Sequence, residues 1–160
     1  MNRMSQKRIL TITLITFAAL AITITVITIT RAGLRFIRSD SLNQAARAGD
    51  FIRTSELLRE GVAVNGQGMH AMTPIMCAAE GGHFEIVRLL IAHGADVNSH
   101  NASGSALMWA VDSGNAELVH YLLKCGADAR WKNALQSTAL DLAEDQSRTE
   151  ISRILQTWNE

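Results

Sequence analysis

Apolar residues recur along residues 39–158 in blocks that repeat every 32 or 33 residues, each interrupted by a glycine-containing turn. In the clearest block, a first segment rich in small residues is followed by a second, more apolar one containing Ile86-Val87 and Leu89-Leu90. Apolar positions three and four residues apart predict helices. A single helix pair of this kind cannot bury its own apolar face, so the pattern predicts a stack of helix pairs.

Residues 73–98 form the best-defined block, and its boundary residues have distinct expected roles. Thr73 is expected to accept a hydrogen bond from a free amide at the start of the first helix, and Pro74 suits the first helical turn. Gly82 is expected to separate the two helices. Gly94 is expected to end the second helix in a left-handed conformation that only glycine adopts easily.

The sequence of this block, TPIMCAAEGGHFEIVRLLIAHGADVN, resembles the ankyrin repeat. Thr73–Met76 stand where that family has T-P-L-H, and Gly94–Asn98 close the unit. The resemblance implies four repeats, at about residues 39–68, 69–101, 102–133 and 134–160. The fold class it implies is all-α: an ankyrin-repeat solenoid of helix-turn-helix repeats with hairpin loops, here preceded by one N-terminal transmembrane helix.

The first and last repeats depart most from the family pattern. Asp40 replaces the threonine of T-P-L-H in the first, and Ser147-Arg148 replaces the glycine-histidine turn in the last. Polar residues on one face are typical of repeats that cap a stack against water. We therefore expect both to be caps, with Trp158 folded over the exposed end of the core.

The transmembrane prediction rests on residues 9–30, which follow a basic segment at residues 1–8. These 22 residues contain no charge, glycine or proline, although seven are threonines. As a helix they would extend about 33 Å, enough to cross a hydrocarbon core. Threonine hydroxyls can bond to carbonyls one turn earlier, which makes their polarity tolerable in a membrane.

A cleaved signal peptide is the alternative reading of the same segment, with Ala19-Leu20-Ala21 as the cleavage site. Cleavage there would leave the apolar residues 22–30 as a new N-terminus. The uninterrupted run and the basic residues of the predicted juxtamembrane linker, 31–38, favour an uncleaved anchor. Both flanks are basic, so the orientation in the membrane stays undetermined.

Charge is divided unevenly along a chain whose formal net charge is zero. Residues 1–38 carry six basic and no acidic residues, whereas residues 39–160 carry nine basic and fifteen acidic ones. A surface that follows a nucleic-acid backbone would be basic, so nucleic acid is not expected as the partner of the repeats. The two cysteines, Cys77 and Cys125, suggest neither a disulfide framework nor a zinc site.

The resemblance also implies where a partner would bind, because the family's first helices and hairpin fingers line a concave groove. Finger tips are expected at residues 66–72, 99–104 and 131–136. The family's aspartate near each tip is replaced by Gly68, Asn101 and Asn133, so looser fingers are expected. The groove-facing helix positions are expected to be Gln44, Arg47, Cys77, Glu80, Trp109, Asp112, Leu142 and Asp145.

Two tryptophans are the main binding candidates. Large aromatic side chains at exposed central positions are typical anchors, and this applies to Trp109 in the groove and Trp131 at a finger tip. The alternative for Trp109 is that it tilts into the core between repeats. The other predicted partner-binding residues are Asp112, Glu80, Arg47, Met72, His100 and Lys132.

Catalysis and metal binding are not predicted. His70 and His100 lie on separate fingers, without a third ligand at a suitable spacing. No nucleophile elbow, phosphate loop or carboxylate pair stands out. We therefore expect no enzyme, no cofactor and no small-molecule substrate.

The predicted function is a membrane-tethered adaptor that displays a groove and finger tips to a protein partner. Two alternatives stay open. One is a secreted or periplasmic module released by signal-peptide cleavage, and the other is an inhibitor or immunity-type protein that blocks one enzyme.

Overall fold

The computed structural model describes residues 3–158, with the side chains of residues 3–19, 31, 32 and 35 left undescribed. The described backbone is helical and contains no strand, only an isolated bridge between His100 and Ser105. The helices are α1 (Arg3–Ala48), α2 (Phe51–Arg59), α3 (Pro74–Glu80), α4 (Phe84–Ala92), α5 (Ala106–Ser113), α6 (Ala116–Lys124), α7 (Ala139–Asp145) and α8 (Thr149–Trp158), with one 3₁₀ turn at Met69–Ala71.

Helix α1 continues through the segment that was predicted to be a linker, residues 31–38. The helix also continues through Ser39–Ser41, where the Ser41 hydroxyl donates to the carbonyl of Ile37 one turn earlier. The chain nevertheless divides into two compact units, residues 1–35 and 36–160.

In the first unit, residues 20–30 have exposed side chains throughout, and Ile22 is 63% exposed. Four threonine hydroxyls in this stretch donate to carbonyls three or four residues earlier, as expected: Thr23, Thr25, Thr28 and Thr30. Over the described residues, no helix combines the length and apolar character needed to cross a membrane. The predicted span at residues 9–30 is not supported by that finding, and its side chains up to residue 19 lie outside the described set.

The second unit is a stack of four helix pairs. The inner helices are the C-terminal part of α1, then α3, α5 and α7, and the outer helices are α2, α4, α6 and α8. Helix α5 packs between α3 and α7, and α8 packs against both α6 and α7. The core is continuous through the stack, and its fully buried large side chains include Leu42, Ile75, Met76, Ile86, Leu90, Leu107, Leu118, Leu122 and Leu155.

The turn between inner and outer helix uses a left-handed residue in every repeat. Gly49, Gly82 and Gly114 have φ values of +76°, +68° and +75°, and Gly82 separates α3 from α4 as the sequence predicted. In the last repeat Ser147 adopts φ +56° at the same position. A residue with a Cβ is strained there, so this turn is the least favourable of the four.

Adjacent repeats are tied together by asparagine side chains that the sequence reading had not assigned this role. Asn65 Nδ2 donates to Gly94 O at 3.1 Å, and its Oδ1 accepts from Asp96 N at 2.8 Å. Asn98 makes the equivalent pair of bonds to Gly126 and Asp128 one repeat later. Each asparagine satisfies two backbone groups across the repeat boundary, which fixes the register of the stack.

Helix starts differ among the repeats. Thr138 and Asp141 form a capping box at the start of α7, and Ser105 accepts from Met108 N at the start of α5. The prediction for Thr73 is wrong: its buried hydroxyl makes no cap bond and has no partner among the described residues.

The outer helices of the end repeats carry polar side chains where the inner repeats are apolar. In α2, Arg53 pairs with Glu56 at 3.2 Å. In α8, Gln156 stands where α6 has Leu123, and it donates to Glu144 at 3.2 Å. The prediction that Trp158 folds over the end of the core is wrong. Its side chain is 43% exposed and lies edge-on to His120.

Candidate functional site

The first half of the groove comprises Gln44, Arg47, Cys77 and Glu80, from the inner helices of the first two repeats. Arg47 crosses the repeat boundary: its Nη2 lies 2.8 Å from a carboxylate oxygen of Glu80 and 3.7 Å from Cys77 Sγ. Burial raises the pKa of the Cys77 thiol to about 11, against the lowering effect of Arg47. Cys77 is therefore a neutral thiol near pH 7, and Arg47 has Glu80 as its counter-ion.

The second half of the groove comprises Trp109, Asp112, Leu142 and Asp145, from the last two repeats. The Trp109 ring is half-buried and packs against the edge of the core, so it is neither fully exposed nor fully inserted. It borders a cavity of about 150 Å³ whose other lining residues are Ser103, Gly104, Met108, Asp112, Asn133 and Leu142. The indole Nε1 is buried and has no acceptor among the described residues.

Asp112 is exposed and stands at the rim of that cavity. One carboxylate oxygen accepts a 2.8 Å bond from Gln146 Nε2, and its backbone carbonyl accepts a 3.0 Å bond from Arg148. Arg148 also donates to the Gln146 side chain, so its guanidinium is held against neutral oxygens. Among the side chains that the structure describes, no basic one forms an ion pair with the Asp112 carboxylate.

At the finger tips, Trp131 and His100 lie together on adjacent fingers. Their ring centroids are 4.8 Å apart at an interplanar angle of 40°. Trp131 is half-buried, and the two residues line a second cavity of about 150 Å³ with Asp128 and Leu107. Lys132 beside them is exposed.

Met72 differs from the other predicted contact residues because it is buried, with only 5% of its surface exposed. Its carbonyl accepts a 2.8 Å bond from Asn43 Nδ2, and its sulfur lies 3.3 Å from Asn101 Nδ2. Met72 therefore stabilises the base of a finger and offers little surface to a partner. It is the only buried residue among the eight predicted partner-binding residues.

The fingers are tied more closely than expected from the missing aspartates. Asn101 Oδ1 accepts bonds of 3.0 Å from the amides of Ser103 and Gly104, as an aspartate would. Its Nδ2 donates to the carbonyl of His70 on the preceding finger, at 3.0 Å. Asn133 repeats this arrangement and reaches Ser103 O at 3.3 Å. An asparagine supplies the acceptor of an aspartate and adds a donor, so each tip is bonded to its neighbour.

The histidines do not converge. His83 donates from Nε2 to the carbonyl of Arg47 at 2.9 Å, which is a link between repeats. His93 bonds to the carbonyl of Leu89 in its own helix. No group of three His, Cys, Asp or Glu residues placed to hold a metal ion occurs in the part of the chain that the structure describes.

Comparison with known proteins agrees with this architecture. The family model described as "Ankyrin repeats (3 copies)" matches residues 42–133, more than half of the chain. The "Ankyrin repeat and KH domain-containing protein mask" of Drosophila melanogaster is 43% identical over 65 residues. An ankyrin repeat protein of Rickettsia bellii (strain RML369-C) is 34% identical over 55 residues, and the "2-5A-dependent ribonuclease" of Mus musculus is 35% identical over 66.

These similarities are confined to short regions of the relatives. They cover 40%, 34% and 41% of this chain, but 2%, 33% and 9% of the Drosophila, Rickettsia and mouse proteins. The likeness is therefore one of repeats, and the activities of the whole relatives do not transfer with it.

Proposed function

The chain belongs to the ankyrin-repeat family, and from that membership we propose that its groove and finger tips bind a partner protein without catalysing a reaction. Ankyrin repeats are protein–protein interaction modules as a family. The observation that supports a groove site here is the half-exposed ring of Trp109 beside the Asp112 carboxylate. A rigid aromatic side chain next to a cavity is typical of binding hot spots.

The proposed contact surface contains Trp109, Asp112 and Glu80 in the groove, with Trp131, His100 and Lys132 at the fingers. Arg47 contributes through its ion pair with Glu80. The repeat part carries more acidic than basic residues, which favours a partner with a basic surface and disfavours nucleic acid.

Capture of the partner by the full-length chain tests this proposal. Trp109→Ala is expected to weaken binding by about 2 kcal/mol or more, because it truncates the central anchor. Trp158→Ala is the matched control, since that tryptophan lies on an outer helix beside His120. Normal binding by Trp109→Ala, with an unchanged unfolding midpoint at neutral pH, would remove the groove and leave the tip at Trp131 as the candidate.

A membrane tether through residues 9–30 is proposed from the uncharged length of that segment, with localisation as a single-pass membrane protein. The exposed apolar side chains and internally bonded threonines of residues 20–30 support it. Carbonate extraction of native membranes should leave the chain in the pellet with an intact N-terminus. A soluble species beginning near Ile22 would instead establish signal-peptide cleavage.

A further inference from the structure

The two halves of the groove can be compared residue by residue, because successive inner helices have equivalent positions. Cys77 and Glu80 in the second repeat correspond to Trp109 and Asp112 in the third, 32 residues later. We call Cys77 with Glu80 the first seat, and Trp109 with Asp112 the second seat. At each seat, the neighbouring side chain comes from the preceding repeat. It is Arg47 at the first seat and the equivalent residue, Glu80, at the second.

The first seat is filled from within the protein. Arg47 of the preceding repeat lies over Cys77 and pairs with Glu80 at 2.8 Å. At the second seat the corresponding residue of the preceding repeat is Glu80, which is acidic. The second seat therefore combines the Asp112 carboxylate with the Trp109 ring. Among the described side chains, the Asp112 carboxylate has no ion-pair partner.

We propose that the second seat binds the guanidinium of an arginine side chain from the partner protein, in the way that Arg47 fills the first seat. The inference rests on the proposed groove function and specifies the chemistry of its partner. A guanidinium stacks on an indole face and pairs with a carboxylate in one geometry. Glu80, the corresponding residue of the preceding repeat, is already paired with Arg47, so the negative charge of the second seat comes from Asp112.

The dimensions favour one side chain over a small-molecule ligand. The cavity beside Trp109 is about 150 Å³, whereas pockets for drug-sized ligands are commonly about 300–1,000 Å³. Its lining contains Asp112 but no basic residue. Gln146 bonds to one carboxylate oxygen of Asp112, and Arg148 bonds only to the backbone carbonyl of that residue. The second carboxylate oxygen is therefore left for a ligand.

Nuclear magnetic resonance of the full-length chain in uncharged detergent micelles can test the seat directly. The probe is the peptide acetyl-Gly-Arg-Gly-amide, and the readout is the three indole N–H signals of the chain's three tryptophans. Titration at millimolar concentrations should move the Trp109 signal saturably and leave those of Trp131 and Trp158 nearly fixed. The same peptide with citrulline, which has nearly the same shape but no charge, should leave all three in place.

Two variants decide whether the carboxylate is responsible. Asp112→Asn should weaken arginine-peptide binding at least about fivefold, since it removes a charge-assisted hydrogen bond. Asp145→Asn, at the equivalent position one repeat later beside Leu142, should change it by less than about twofold. Equal binding of the citrulline peptide, or unchanged binding by Asp112→Asn, would overturn the proposal.

A charge exchange gives an independent test that preserves the groove's net charge. The double substitution Arg47→Glu with Glu80→Arg retains a pair at the first seat and brings a guanidinium beside the second. It should weaken arginine-peptide binding; undiminished binding would count against the seat. If partner capture depends on Trp109 while the peptide moves no signal, the groove function stands and only the arginine seat fails.

Discussion

In the first half of the groove, a cation and an anion from adjacent repeats neutralise each other across Cys77. In the second half, the same helix positions hold an indole ring and a carboxylate that lacks an ion-pair partner among the described residues. Both halves stand on the same kind of helix pair, with the same buried positions beneath. The difference shows that a repeat scaffold can keep its core constant while one or two surface positions change in shape and charge.

The largest expected effect tests whether the cores beneath the two halves are equivalent. Leu90 and Leu122 occupy the same outer-helix position in the second and third repeats, and both are 0% exposed. Each substitution to alanine should cost about 2–5 kcal/mol in urea unfolding, through lost burial and the cavity left behind. Leu135→Ala, at an 84% exposed position, is the control and should stay within about 0.5 kcal/mol.

A cost below about 1 kcal/mol at only one of the two leucines would mean that the halves differ in packing as well as on their surface. The comparison would then concern stability as much as binding. Similar costs would confine the difference to the groove.

The repeat architecture was predictable because its signals are local. Turn residues such as Gly82 and Gly94 and the spacing of the apolar positions need only one repeat to be read, and the structure confirms both. The continuity of α1 through Gly33 was not predicted, because the basic residues of segment 31–38 indicated a juxtamembrane linker. One glycine costs a helix only about 1 kcal/mol, which the surrounding helix can absorb.

The sequence predicted which residues face the groove, but it did not predict which of them contact one another. Arg47 and Glu80 were both expected to face the groove, yet their ion pair depends on how two repeats 33 residues apart are stacked. The cross-repeat bonds of Asn101 and Asn133 were missed for the same reason. From residue type alone, an asparagine was expected to hold a finger less firmly than the family's aspartate. In the stacked fingers, the amide group of each asparagine donates to a backbone carbonyl of the preceding finger.

Helix starts provide the second test of the comparison, with an intermediate expected effect. Thr138 caps α7 through Asp141, so Thr138→Val should cost about 1 kcal/mol of unfolding free energy. Thr73 is 5% exposed and its hydroxyl has no partner among the described residues, so Thr73→Val should be neutral or slightly stabilising. A cost at Thr73 equal to that at Thr138 would show that both hydroxyls act as caps.

The Thr138 cap should also respond to pH. Hydrogen bonds from the Thr138 amide and hydroxyl lower the pKa of Asp141, so its ionised form is favoured in the folded state. That contribution is present above the ordinary aspartate pKa of about 3.9 and is lost as the pH falls through the lower, folded value. The stability difference between wild type and Thr138→Val should therefore shrink in acid, measured by urea unfolding from pH 7 downwards.

The smallest expected effect concerns the ion pair that distinguishes the first half. Arg47 and Glu80 are partly exposed, with side-chain exposures of 53% and 34%, so their coupling in a double-mutant cycle should be at most about 1 kcal/mol. The coupling should decrease with added salt, whereas Asp112→Asn, which removes no described ion pair, should leave the salt dependence of unfolding nearly the same as in the wild type. A coupling well above this range would make Arg47 a structural link between repeats. A weak one means that Arg47→Gln frees the first seat with little loss of stability, and an arginine peptide should then bind beside Cys77 as well.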